Sequence, residues 1–236
     1  MEFLAMIDWA VTAQIILIDL LLGGDNAVVI ALACRNLHPN QRRKGIMYGT
    51  AGAIILRVVL VAFAVTLLQI PFLKFVGGLL LFWIAYKLIV QTEEDDHELE
   101  ASDKLWSAIK TIIVADIAMS VDNVIAIAGA AGQVDVAHHQ YGYIVFGLLV
   151  SIPIIVAGSQ VVLYLIDRFP LIVTLGAGLL GWIAGGMMCS DPGLIKQFGE
   201  GIQDYATVAS VVSAVGIMLV GELVKRSMQK KKSAAS

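Results

Sequence analysis

The sequence predicts an all-α membrane protein of seven transmembrane helices, built as two inverted three-helix repeats plus a seventh helix, with the N-terminus outside and the C-terminus in the cytoplasm. Three observations predict it: an apolar composition, seven apolar stretches long enough to cross lipid, and a lopsided distribution of Lys and Arg. Of 236 residues, 58% are hydrophobic and 15% charged, with a mean hydropathy of +0.84, whereas soluble domains run at roughly 45–50% and 25%. Too little polar surface remains to clothe a water-soluble globule. That excludes an ordinary cytosolic enzyme, a disordered chain and a nucleic-acid-binding protein. The net charge of -3 says little until the charges are placed along the chain. Cys34 and Cys189 are too few for a disulfide framework or a four-ligand zinc site.

A helix needs about 20 apolar residues to cross the hydrocarbon, and it satisfies its own backbone polar groups while doing so. The first span covers 9–34 and stops at Leu37-His38-Pro39-Asn40. It follows Glu2 and Asp8 rather than a basic start, and its apolar run is too long for a signal peptide, so it is expected to be retained. The second covers 45–68 and stops at Ile70-Pro71; the third covers 71–90. Residues 91–104 form a strongly polar, acidic loop expected in the cytoplasm. The fourth span covers 106–131, the fifth 141–165 ahead of Phe169-Pro170, and the sixth 170–189 ahead of Asp191-Pro192-Gly193. The seventh covers 205–225 and runs into a basic cytoplasmic tail, 226–236. Residues 1–236 thus read as one transmembrane domain, with the repeats at 9–90 and 106–189.

Orientation follows from the basic residues, which resist translocation. Of the 16 Lys and Arg, Lys74 and Lys196 alone fall on one side and Arg57 lies inside a span; the rest collect on the other side. That side is the cytoplasm, and Cys34 and Cys189 then lie on opposite faces and are not expected to pair.

The repeat is legible without gaps. Residues 15–33, IILIDLLLGGDNAVVIALA, lie over 112–130, IIVADIAMSVDNVIAIAGA, with eight identities in nineteen. Residues 71–89 lie over 170–188 with seven, including Pro71 with Pro170 and Trp83 with Trp182. A three-span unit flips its second copy, which relates the halves by a pseudo-two-fold axis in the membrane plane. Apolar composition inflates such scores, but it does not explain the coincidence of polar residues: Asp19 with Asp116, Asp25 with Asp122, Asn26 with Asn123.

An aspartate at a helix centre costs about 2.5–3.5 kcal/mol on insertion scales, so four cost roughly 10–14 kcal/mol if unpaired. Arg57 is the one basic residue well inside a predicted span, which leaves a formal excess of negative charge for protons or a bound cation to neutralise. Asp19 and Asn26 are two turns apart on one face, about 10 Å along the axis. Asp25 points elsewhere, so sharing one site with Asp19 predicts a loosened helix at Gly23-Gly24; the second copy has Ser120-Val121 there and should lean on the serine hydroxyl. Carboxylate, amide and carbonyl oxygens form a hard ligand set suited to magnesium, manganese or calcium. Met119, one turn before Asp122, could add a thioether that favours manganese. Four acids holding one divalent ion while releasing two protons make metal/proton exchange electrically balanced.

The two Asp-Asn motifs, GGDNAVVIA at 23–31 and SVDNVIAIAG at 120–129, in a seven-span chain with a three-plus-three repeat, closely resemble the TerC family of bacterial integral membrane proteins, related to the LysE exporters. The resemblance covers nearly the whole chain. It implies metal-ion export across the bacterial plasma membrane, manganese being the leading cargo rather than a resident cofactor, and it carries over Asp25, Asn26, Asp122 and Asn123 as site residues. Asp19 and Asp116 join them on the charge argument above.

Other readings compete. An intramembrane aspartyl protease also needs two facing aspartates, but its Gly-x-Gly-Asp signature fails because Leu22 stands ahead of Gly24-Asp25. A non-transporting protein that hands metal to a partner or supports tellurite resistance, and an exporter of a basic amino acid, both fit the acids. No catalytic site and no nucleic-acid partner are expected; the partners are the metal ion, the bilayer and, in a homo-oligomer, further copies. The run Glu93-Glu94-Asp95-Asp96-His97-Glu98 and the loop group Asp135, His138 and His139 read first as solvated polar surface, and Lys230-Lys231-Lys232 as a lipid-headgroup anchor. Gly49, Gly52, Gly77, Gly78, Gly176 and Gly178 read as close helix contacts.

Overall fold

The computed structural model describes residues 9–63, 67, 70–90, 101–131 and 137–233. Among them the regular elements are helical and there is no strand. In chain order they are α1 (Trp9–Cys34), α2 (Pro39–Ala62), α3 (Leu73–Val90), α4 (Ala101–Ala131), α5 (Ala137–Arg168), α6 (Leu171–Cys189), the short α7 (Pro192–Phe198), a 3-10 turn (Glu200–Tyr205) and α8 (Ala206–Ser233). Five helices among the described residues are long and apolar enough to cross a membrane: α2, α3, α6, Val145–Arg168 of α5, and Glu200–Val224 leading through α8. This is a multi-pass, all-helical membrane protein. Its outer surface agrees: α8 exposes Val208, Val212, Val215, Leu219 and Leu223 along one face, a stripe that water would not tolerate and lipid does.

Several boundaries move from the expected ones, each for a local reason. Pro39 opens α2 six residues before the expected start, because a proline at the first helical position gives up no bond the helix needs. The expected loop 91–104 ends early: residues 101–104 are already helical in α4. The tail beyond 225 is not a separate segment but continues α8 to Ser233, since Lys, Arg, Met and Gln are good helix formers. The connection after α6, read from sequence as a plain break, contains α7 and the 3-10 turn. The acidic residues 93–98, Asp135, and the side chains of His138, His139 and Lys230–Lys232 lie outside the described residues.

The helices pack chiefly as α1 on α5 and α4, α2 on α4, α3 on α6, and α6 on α8. The core gathers Val29, Leu32, Leu81, Ile84, Ile112 and Leu180. The stripe glycines do what small residues do between membrane helices. A Cβ on Gly49 would come within 2.5 Å of Ile112, and one on Gly78 within 2.9 Å of the Ala184 carbonyl oxygen. Gly181 and Gly185, not singled out in the sequence, sit against the backbone of α8: a Cβ would lie 2.8 Å and 2.5 Å from the carbonyl oxygens of Ser213 and Ala209.

Two polar clasps tie the ends. Asp191 is fully buried, and its Oδ1 accepts from the backbone N–H of Gly193, Leu194 and Phe72 while Oδ2 accepts from Phe75, so one carboxylate serves the first turns of both α7 and α3. Arg42 donates to the carbonyls of Arg35 (2.6 Å) and Leu37 (3.0 Å) at the end of α1 and to Asp167 (2.6 Å) at the end of α5. Cys34 and Cys189 are both free, as expected.

Candidate functional site

α1 puts Asp19 and Asn26 two turns apart on its inner face, where both are buried. α4 puts Asp116 and Ser120 one turn apart, also buried. α2 inserts Arg57, 1% exposed, between them. Its face toward the bundle carries Ile46, Gly49, Thr50, Ala53, Ile54, Arg57 and Val61, a helical stripe in which the arginine is the one charged member.

The guanidinium is fully used on its inner side. Nη1 donates to Asp19 Oδ1, Nη2 donates to Asp116 Oδ1, and Nε donates to Ser120 Oγ at 3.2 Å. The Ser120 hydroxyl in turn donates to Asp116 Oδ2 at 3.0 Å, closing a ring of Arg57, Asp116 and Ser120. Arginine suits this place because its planar fork stays charged and reaches two carboxylates at once. The two acids that align in the sequence repeat are therefore held by one cation drawn from a third helix.

Beside this cluster lies a cavity of about 10 Å³, lined by Asn26, Thr50, Arg57 and Asp116 among apolar neighbours such as Ile54 and Ile155. That is about the room one water-sized particle needs. Asn26 (5% exposed) has neither its amide oxygen nor its amide nitrogen hydrogen-bonded, and Thr50 (2% exposed) has no partner for Oγ1, among the described residues. Asp25, half-buried, has its Oδ1 buried and likewise unpartnered. Buried polar atoms are nearly always satisfied, and each one left over costs about 1–3 kcal/mol. Three such atoms, on Asn26 and Thr50, line the cavity and make a polar locus that the described residues do not complete; the fourth, on Asp25, belongs to the next residue of α1 and does not line it.

Of the residues expected from sequence, Asp19 and Asp116 meet on Arg57, Asn26 faces the cavity, and Asp25 adjoins on the same helix. Asn123 is buried and engaged. The side chain of Asp122 lies outside the described residues. Among those residues no group of three or more His, Cys, Asp or Glu is placed to hold a metal ion. Met119 is buried within the apolar core. The expected loosening at Gly23-Gly24 is not found: α1 is continuous through both glycines. A glycine in a helix costs about 1 kcal/mol, whereas opening the ladder in lipid strands backbone groups at several kcal/mol each. With α1 unbroken, Arg57 joins Asp19 to Asp116, and Asp25 is not among its partners. The Ser120 hydroxyl is used, as expected, but on Arg57 and Asp116 rather than on a broken backbone. Sequence reasoning missed Thr50; its signal was a spacing of two turns before Arg57, the same that joins Asp19 to Asn26.

The sequence matches the Integral membrane protein TerC family over residues 4–232. It is 41% identical over 213 residues to the "Uncharacterized membrane protein YjbE" of Bacillus subtilis (strain 168), covering 88% of this chain and 94% of that one. It is 26% identical over 187 residues to "Uncharacterized membrane protein YceF" of the same organism, covering 75% and 70%. To the "UPF0053 protein YegH" of Escherichia coli (strain K12) it is 28% identical over 210 residues, 81% of this chain and 38% of that one. No solved structure matches it.

Proposed function

The chain belongs to the TerC family of integral membrane proteins, and we propose that it is a secondary transporter exporting a divalent metal ion, manganese first among the candidates, from the cytoplasm across the bacterial plasma membrane. In this reading the chain has seven spans, N-out and C-in, with α1–α3 and α4–α6 as inverted halves. The packing supports a two-fold relation between the halves: the α1·α5 pair has its counterpart in α4·α2, while α1·α4 and α3·α6 are each pairs of equivalents.

One observation carries the proposal. Two equivalent acids, Asp19 and Asp116, share Arg57 at the edge of a water-sized cavity where Asn26 and Thr50 offer uncompleted polar atoms. Arg57 is then a tethered stand-in for the cargo: its guanidinium neutralises the acid pair while no ion is present, and an incoming divalent cation competes with it for the same oxygens. Asp25 and Asn26, with Asp122 and Asn123 of the second copy, supply further hard oxygens suited to manganese or magnesium. The two positive charges that the metal brings are balanced by displacement of the guanidinium together with loss of one proton, or by loss of two protons.

Flux into proteoliposomes tests this. Purified wild type should move Mn²⁺ down a gradient, and Asp25→Asn and Asp122→Asn should each abolish flux while the protein still elutes as folded material. Flux surviving both changes would discard the site. Metal binding with no flux in the wild type would point instead to handover of metal to a partner.

A second reading has one observation in its favour. A guanidinium clasped by two carboxylates is also how an exporter would hold the side chain of a basic amino acid. The cavity volume of about 10 Å³ argues for the ion, since it has no room for a second guanidinium. Arginine counterflow in the same liposomes separates the two.

A further inference from the structure

A second polar feature lies away from the central acids. α3 and α4 run antiparallel, and between them opens a groove of about 410 Å³. Its walls carry Trp83 and Lys87 from α3, and Trp106, Ser107, Lys110 and Thr111 from α4. In each helix the Trp and Lys are four residues apart and so share a face: WIAYK at 83–87 and WSAIK at 106–110. Opposite helix directions lay the two Trp–Lys pairs head to tail along the groove.

The tryptophans are among the most exposed large side chains of the molecule, 57% for Trp83 and 61% for Trp106. Lys87 Nζ stands 5.5 Å from the centroid of the Trp83 ring, within reach of a cation–π contact that steadies the ammonium. Neither lysine forms an ion pair with a described residue. One acid, Asp103, also lines the groove, so the described charges sum to one positive. Tryptophan belongs at the membrane–water boundary, with its ring among the upper acyl chains and its N–H toward the headgroups. Basic clefts between membrane helices on the side rich in Lys and Arg take acidic lipid headgroups.

We propose that this groove is a binding site for an anionic phospholipid: Lys87 and Lys110 hold the phosphodiester, Ser107 and Thr111 add hydroxyls beside it, and the rings of Trp83 and Trp106 flank it at the two ends of the groove, one against the glycerol and first methylenes and the other at the headgroup. The inference needs only that the helices sit in a bilayer. It is independent of what the central site carries, so either can fail alone.

Native mass spectrometry of the full chain released from nanodiscs of mixed phosphatidylglycerol and phosphatidylcholine tests it. Wild type should retain one phosphatidylglycerol in preference to phosphatidylcholine. In the Lys87→Gln/Lys110→Gln double variant that preference should fall roughly 30-fold, as expected for two basic contacts to an acidic headgroup. Lys44→Gln, an exposed lysine at the start of α2, should leave it unchanged, and Trp106→Leu should weaken retention of both lipids alike. Equal retention by the double variant and wild type would overturn the proposal. So would glycerol 3-phosphate competing as well as the whole lipid, which would assign the groove to a soluble anion. Two further results would also overturn it: a Trp106→Cys variant that crosslinks to a second copy in the bilayer, and lipid selectivity that appears only when Glu93, Glu94, Asp95, Asp96 and Glu98 are neutralised. The first would make the groove an oligomer contact, the second a seat for the chain's own acidic segment.

Discussion

Asp19 and Asp116, equivalent in the sequence repeat, meet on opposite nitrogens of a single guanidinium, that of Arg57. The pair is buried on every side, so its energy is decided by desolvation and geometry rather than by simple attraction.

Arg57→Leu leaves two acids facing each other without their cation. Breaking a buried pair by deleting one partner costs about 3–5 kcal/mol, and a corresponding loss of thermal stability is expected in detergent-solubilised protein. The triple variant Arg57→Leu/Asp19→Asn/Asp116→Asn should recover most of it. No recovery would mean that Arg57 stabilises through packing and not through charge.

Gly24→Ala is expected to raise stability by about 0.5–1 kcal/mol. A Cβ there meets open space and the residue is already helical. Mn²⁺ flux measured on the same protein reports whether α1 opens at Gly23-Gly24 during transport: a stiffer but slower variant says that it does, and unchanged flux says that the helix stays whole throughout.

Gly185→Leu, by contrast, drives a side chain into the backbone of Ala209 and should cost about 3 kcal/mol or more by prising α8 from α6. Limited proteolysis of the released α8 is the readout, and a protease-resistant variant would contradict the close contact.

Asp191→Ala strips an acceptor from four backbone N–H groups at the starts of α3 and α7. The loss of two caps is worth about 2 kcal/mol together, and it should appear locally, as faster hydrogen exchange at Phe72, Phe75, Gly193 and Leu194. Asp167→Asn, which removes a solvent-exposed partner of Arg42, should cost under about 1 kcal/mol, an effect that added salt already screens.

Much of the site was readable in the chain. The alignment of Asp19 with Asp116 and the shared face of Asp19 and Asn26 needed only helical spacing, and both are buried as that spacing requires. Arg57 was visible as the one basic residue inside a span, but nothing in one dimension says that it serves both acids rather than one. Thr50 was invisible for a related reason. A threonine in an apolar helix usually bonds to its own backbone, and only the folded structure shows that this one is buried without a partner among the described residues. The clasp at Asp191 is partly local, through Gly193 and Leu194, and partly remote, through Phe72 and Phe75.

The chain alone determined that this protein is helical and membrane-embedded, and roughly where each helix lies. Those are local matters: lipid offers the backbone no partner, so any sufficiently long apolar run satisfies itself as a helix whatever its neighbours do. Which charges meet, whether α1 breaks, and which polar atoms stay uncompleted were decided by tertiary packing. The reason is range: a buried ion pair or hydrogen bond is made or lost over about an ångström, and that distance is set by how glycine-lined helices from distant parts of the chain press together.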